Sequence, residues 1–122
     1  MPIVDIQIVA APAQTQVSPP TQALADALGR VFDTAPGRTW VRVHALPSSQ
    51  YAENDCALGE DELPVFVTLL HARSPRDNAR ASEARAVTEA VAQVLHVANE
   101  RVHVQYAPDG AGRQAFGRLL VE

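Results

Sequence analysis

Cysteine is all but missing from this chain: Cys56 is the only one in 122 residues. An intramolecular disulfide is therefore excluded, which suits a reducing cytosol. Cys56 lies among acidic residues, where neighbouring carboxylates raise a thiol's pKa and blunt it as a nucleophile. Aromatic residues make up only 5% of the sequence, so the core must be built from Val, Leu, Ala and Ile. Basic charge is not massed anywhere. The net charge is −4 and no Lys/Arg run stands out, which argues against nucleic acid as a partner, because a phosphate backbone calls for a basic face. No apolar run approaches the roughly 20 residues of a membrane span. The opening MPIVDIQIVA has neither the basic n-region nor the cleavage site of a secretory leader. These absences predict a soluble, cytoplasmic protein with no membrane partner. The four histidines, His44, His71, His96 and His103, form no HxxxH or HExxH pair and no Cys/His cluster, so no metal is expected. Phosphate-loop, dinucleotide and nucleophile-elbow patterns are missing too, and Gly110–Arg113 reads as a turn, so no cofactor is expected either.

What is present is periodicity. Val4, Ile6 and Ile8 alternate with Asp5 and Gln7, predicting a half-buried strand over 3–9. Ser18-Pro19-Pro20 is a cap-plus-proline start, and Leu24, Leu28, Val31 and Phe32 follow as one helical stripe that Ala35-Pro36-Gly37 stops. A second strand spans 40–46. The stretch 47–63 is polar, acidic and without period, a long loop for a small protein. Order then resumes with an apolar strand over 64–72. Another Ser-Pro start follows at Ser74-Pro75, with Asp77 completing a capping box. A helix carries Ala84, Val87, Val91, Val94 and Leu95, and a fourth strand covers 101–107. A glycine-punctuated tail, 109–122, ends in the apolar Leu119–Val121.

The two halves echo each other. VRVHALP matches VHVQYAP, and Pro2 and Pro64 each open a strand. The sequence reads as one α/β domain over 1–122, built of tandem βαβ-βαβ units at about 2–47 and 64–108. Right-handed crossovers place both helices on one face of a four-stranded mixed sheet. Gln7, Arg42, His44, Thr68, His103 and Gln105 then line the other face with Phe66 and Leu70. With no helix left to cover those two, that face predicts self-association.

Pro2 carries the chemistry to be expected. Proline is small enough for aminopeptidase removal of Met1, which leaves a secondary amine at the start of a strand. Desolvation disfavours the charged form of an α-amine, whose ordinary pKa is near 8, so a buried Pro2 can act as a general base. Arg73 and Arg76 flank the start of the second helix, a corner suited to a carboxylate. Arg38 sits in the turn before the second strand. His103 and Gln105 share a strand face, where they either line a pocket or satisfy an interface.

Met-Pro-Ile opening a strand, the tandem units, Gly37-Arg38, the VRVH strand, Arg73 to Arg76 and RVHVQY together resemble the tautomerase superfamily. The resemblance leans to the branch of macrophage migration inhibitory factor, 5-carboxymethyl-2-hydroxymuconate isomerase, malonate semialdehyde decarboxylase and the cis-3-chloroacrylic acid dehalogenases. It implies a cofactor-independent enzyme, a homotrimer with sites completed by neighbouring subunits, and Pro2 as its acid–base group. It also implies Arg73 and Arg76 as binders of a small carboxylate-bearing substrate, with Arg38 a basic residue near the pocket. His103 and Gln105 stand where inhibitory-factor-like members carry a tyrosine and an asparagine. Three functions follow as expectations. The first is a tautomerase acting on a small 2-keto or 2-hydroxy-dienoic acid with Pro2 as base. The second is a lyase of the same superfamily, either a dehalogenase/hydratase or a decarboxylase of a 3-carbon acid, with Pro2 protonated. The third is a non-catalytic ferredoxin-like binding module in which Pro2 is inert. Water activation would need a carboxylate, and Asp109 and Glu122 in the tail are the candidates.

Overall fold

The computed structural model describes residues 2–122. Strand β1 (Ile3–Ala10) leads to helix α1 (Thr21–Phe32) and strand β2 (Trp40–Pro47). The second unit repeats the order as β3 (Val65–Leu70), α2 (Asp77–Leu95) and β4 (Val102–Tyr106). The tail closes with a two-stranded ladder, β5 (Ala115–Phe116) and β6 (Leu119–Leu120). The main sheet is mixed, in the order β2-β1-β3-β4. Within each unit the strands run parallel, and the units join through antiparallel β1 and β3. This is the architecture the alternation and the internal echo predict.

Alternation decides which face is dry. Val4 and Ile6 on β1, and Val65, Val67 and Leu69 on β3, are fully buried against Leu24 and Leu28 of α1 and Val87 and Val91 of α2. Burying each such side chain contributes about 1.5–3 kcal/mol. On the open face Asp5 pairs with Arg42 at 2.6 Å, and Gln105 donates to Thr68 at 2.9 Å. Phe66 and Leu70 are not left bare there. The 47–63 stretch folds into two 3-10 turns, Ser48–Gln50 and Glu60–Glu62, and lays Tyr51 5.8 Å from the Phe66 ring. The His103 ring lies 5.4 Å from that of Phe66, tilted by 35°. Both apolar residues are therefore half-buried within one chain, which weakens the case for association built on them.

Both helix starts differ from the sequence expectation. Helix α1 begins at Thr21, with Pro20 at its cap and no side-chain cap bond. Consecutive prolines disfavour the helical region for the residue before them and delay the first turn past Ser18. The capping box at Ser74 and Asp77 does not form: α2 is capped by Arg76, again without a side-chain bond. The Ser74 N–H is taken instead by Asp109, at 3.0 Å.

Candidate active site

Register brings the site together. Ile3 lies opposite Leu70 across the antiparallel pair, so the residue before β1 meets the residues after β3. Pro2 is buried, and its carbonyl accepts the Trp40 N–H at 3.1 Å. Proline suits this first position because it has no N–H to offer the ladder. A cavity of about 380 Å³ opens here, lined by Pro2, His71, Arg73, Ser74, Glu83 and Phe32, with Thr34 and Pro75 at its edge.

His71 and Glu83 give this cavity a buried polar wall. His71 Nε2 lies 2.8 Å from Glu83 Oε1, and the Tyr106 hydroxyl donates to the same oxygen at 2.9 Å. An ionised carboxylate only accepts, so the Nε2 carries the proton in this contact. Phe32 meets the His71 ring edge-on at 5.3 Å and Tyr106 stacks on it at 6.1 Å, fixing the imidazole plane. Burial, and then the bond to Glu83, push the Tyr106 phenol far above its ordinary range, so it stays a donor. Ser74 adds a buried hydroxyl that makes no hydrogen bond of ordinary geometry among the described residues.

The sequence-derived candidates separate. Pro2 and Arg73 share the cavity. Arg73 Nη1 also donates to the Glu122 main-chain oxygen at 2.7 Å, so the tail braces the guanidinium. Arg76 stands outside the cavity, exposed, 4.0 Å from Asp109. The Ser74 N–H, then the Ser74 hydroxyl and, more weakly, Arg76 hold the Asp109 carboxyl below the ordinary range, so its charge is already engaged. Arg38 belongs to a different hollow, of about 360 Å³, with Trp40, Phe116, Leu119 and Leu120. His103 and Gln105 lie on the open face of the sheet, exposed, while Pro2 shares its cavity with Phe32 of α1 and Glu83 of α2. One protomer therefore does not gather Arg76, Arg38, His103 or Gln105 around Pro2. The expected removal of Met1 lies outside the described residues. Cys56 is exposed, and no cluster of His, Cys, Asp and Glu suited to a metal occurs among the described residues. No described helix is long and apolar enough to cross a membrane.

No family model and no curated protein sequence matches this chain. Solved structures do. A macrophage migration inhibitory factor from Oncomelania hupensis superposes with a TM-score of 0.72 at 17% identity, covering 100% of this chain and 83% of that one. A fused 4-OT symmetric trimer gives 0.72 at 14%, covering 98% and 94%. The chain shares the fold of these solved structures. A third neighbour is N1, a member of the cis-3-chloroacrylic acid dehalogenase family, at 0.68 and 21% identity over 98% of this chain and 84% of that one. A shared fold does not carry a function, so what this chain does must be argued from the side chains of its own cavity.

His71 and Glu83 are the members that sequence reasoning passes over. A signal was available for Glu83 alone, in the spacing of α2. Val87 and Val91 are the buried stripe of α2, and Glu83 stands one turn ahead on the same stripe, where an acid needs a partner.

Proposed function

We propose that this chain is a tautomerase that moves a proton between carbon and oxygen in a small 2-keto or 2-hydroxy-dienoic acid. The observation that carries the reading is the burial of Pro2 in one cavity with Arg73. Loss of Met1 exposes the Pro2 amine. Burial favours its neutral form, which takes the proton from the substrate hydroxyl and returns it to carbon. Arg73 holds the substrate carboxylate and steadies the enolate charge as it develops. Association into a homotrimer is part of the proposal, supported by Leu119 and Leu120, exposed at 77% and 56% beside the Arg38 hollow. In such an assembly Arg38, His103 and Gln105 would approach the cavity of a neighbouring copy.

Pro2→Ala should remove most ketonisation of phenylpyruvate or 2-hydroxymuconate, and unchanged activity would sink the reading. Intact mass checks its premise, because retained Met1 blocks the amine. Incubation with 3-bromopropiolate should label Pro2.

One observation favours a second reading. Glu83 is a carboxylate inside the Pro2 cavity, as water activation requires, whereas Asp109 is tied to Ser74 and Arg76. In that case a protonated Pro2 would deliver the proton to carbon while Glu83 takes one from water, giving hydration of a 3-carbon unsaturated acid. Titration of the Pro2 nitrogen separates the two. A pKa below about 7 fits the base and one above about 8 fits the acid.

A further inference from the structure

The duplication that builds the sheet builds two crevices. The Pro2 cavity lies between the start of β1, the stretch after β3 and the end of α1. At the opposite end, the start of β3, the stretch after β1 and the end of α2 stand in the same relation. A larger cavity of about 590 Å³ opens there. Pro64 opens β3 as Pro2 opens β1, and its carbonyl is tied to the Val9 N–H at 3.1 Å. This second crevice holds no arginine, and Pro64 is a mid-chain residue with no amine. Its content therefore differs although its place in the fold is equivalent.

Its walls are apolar, built by Ile8, Val43, Leu95 and Val97, with Val17 over the mouth and 70% exposed. Its charged groups are carboxylates with no arginine among them, whereas the Pro2 cavity sets Arg73 beside Glu83. Glu60 and Asp61 line it, and neither shows a partner among the described residues. The carbonyl end of α2 points the same way, because Leu95 and His96 belong to the lining. That helix end is negative and has no basic residue in its last turn, whereas the last turn of α1 carries Arg30. His96 is the only lining side chain able to carry positive charge. Arg101 lies outside the lining and is committed to the Glu62 carbonyl at 2.7 Å.

We propose that this second crevice binds a small organic cation, an ammonium group on an apolar body. The apolar part fills the space between Val43 and Leu95 and covers Val17, and the ammonium sits at the mouth between Glu60, Asp61 and the end of α2. A cavity of this size lies in the ordinary range of small-ligand sites. Two carboxylates and a helix C-terminus all reject an anion. The proposal does not rest on the reading of Pro2.

The test uses the full chain and three probes with one skeleton: 4-phenylbutylamine, 4-phenylbutanol and 4-phenylbutyrate. Amide shifts in a proton–nitrogen correlation spectrum report where each binds. The amine should move Val17, Val43, Ala45 and Val97 saturably, with Kd of about 1 mM or below. The alcohol should bind more weakly and the acid not at all. Glu60→Gln with Asp61→Asn should weaken the amine about five-fold or more. Ala45→Phe, a change at an exposed lining residue, should block it, and Pro2→Ala should leave it intact. The proposal is overturned if the acid binds this crevice as well as the amine does, or if the amine moves only His71 and Arg73. Unchanged affinity in the neutralised variant, or no saturable shift at all, would overturn it too.

Discussion

Replacing Glu83 with alanine tests whether the buried wall of the Pro2 cavity is a structural unit. The carboxylate oxygen accepts from His71 Nε2 at 2.8 Å and from the Tyr106 hydroxyl at 2.9 Å. The His71 and Glu83 side chains are only 11% and 18% exposed. Glu83→Ala strands the His71 donor and leaves the Tyr106 hydroxyl only the long contact to the Arg80 carbonyl, at 3.4 Å. A buried donor without an acceptor costs about 1–3 kcal/mol, and water entering through the open side of the cavity offsets part of that. The expected loss is about 2–3 kcal/mol from a total of about 5–15. With m of about 1.5–2 kcal/mol/M in urea, the unfolding midpoint falls by about 1–2 M. Glu83→Gln keeps a carbonyl oxygen in place and should cost under about 1 kcal/mol. Both variants should be compared with the parent chain at one protein concentration, because self-association would add to apparent stability. A loss below about 1 kcal/mol in the alanine variant, or equal losses in both, would refute the reasoning.

Three further outcomes follow from the geometry. Arg73→Ala should raise KM for a carboxylate substrate by about ten-fold or more, while Arg76→Ala should change it by less than about two-fold, read in the same ketonisation assay. Asp109 has a depressed folded-state pKa, so its contribution is present above the ordinary carboxylate range and is lost as pH falls through the folded value. Asp109→Asn should accordingly flatten the acid limb of stability below about pH 4, measured by urea unfolding across pH. Leu28→Ala removes a fully buried side chain between α1 and the sheet and should cost about 2–5 kcal/mol, visible as a lower Tm in calorimetry.

The sheet was legible because each strand alternates with period two, and the echo of VRVHALP in VHVQYAP gave the pairing of units. Legibility stopped wherever a feature depends on register between distant segments. Nothing near Pro2 in sequence announces His71 or Glu83. Only the antiparallel match of Ile3 with Leu70 makes them neighbours. The Arg73 and Arg76 pair failed as a unit for a related reason. Three residues apart in an irregular stretch, they diverge, one braced by Glu122 and the other beside Asp109. The helix starts were misplaced because cap rules weigh local competition alone, whereas Asp109, 35 residues on, captured the Ser74 N–H.

Under the proposed reading, with Met1 removed, the charges around Pro2 would favour a base over an acid. Burial lowers the pKa of an amine, and the Arg73 guanidinium in the same cavity lowers it further. Glu83 alone pulls the other way, and its charge is already shared between the His71 and Tyr106 donors. On that reading two influences would favour the neutral amine against one that is partly spent. A substrate carboxylate would shift this balance on binding, since it approaches Arg73 and cancels the cation that helped to neutralise the amine. Proton transfer to Pro2 then becomes easier at the moment it is needed, because the bound anion stabilises the cationic proline that the transfer creates. The same arithmetic explains why a neutral ligand would gain little here: it would leave Arg73 unpaired beside a newly charged amine.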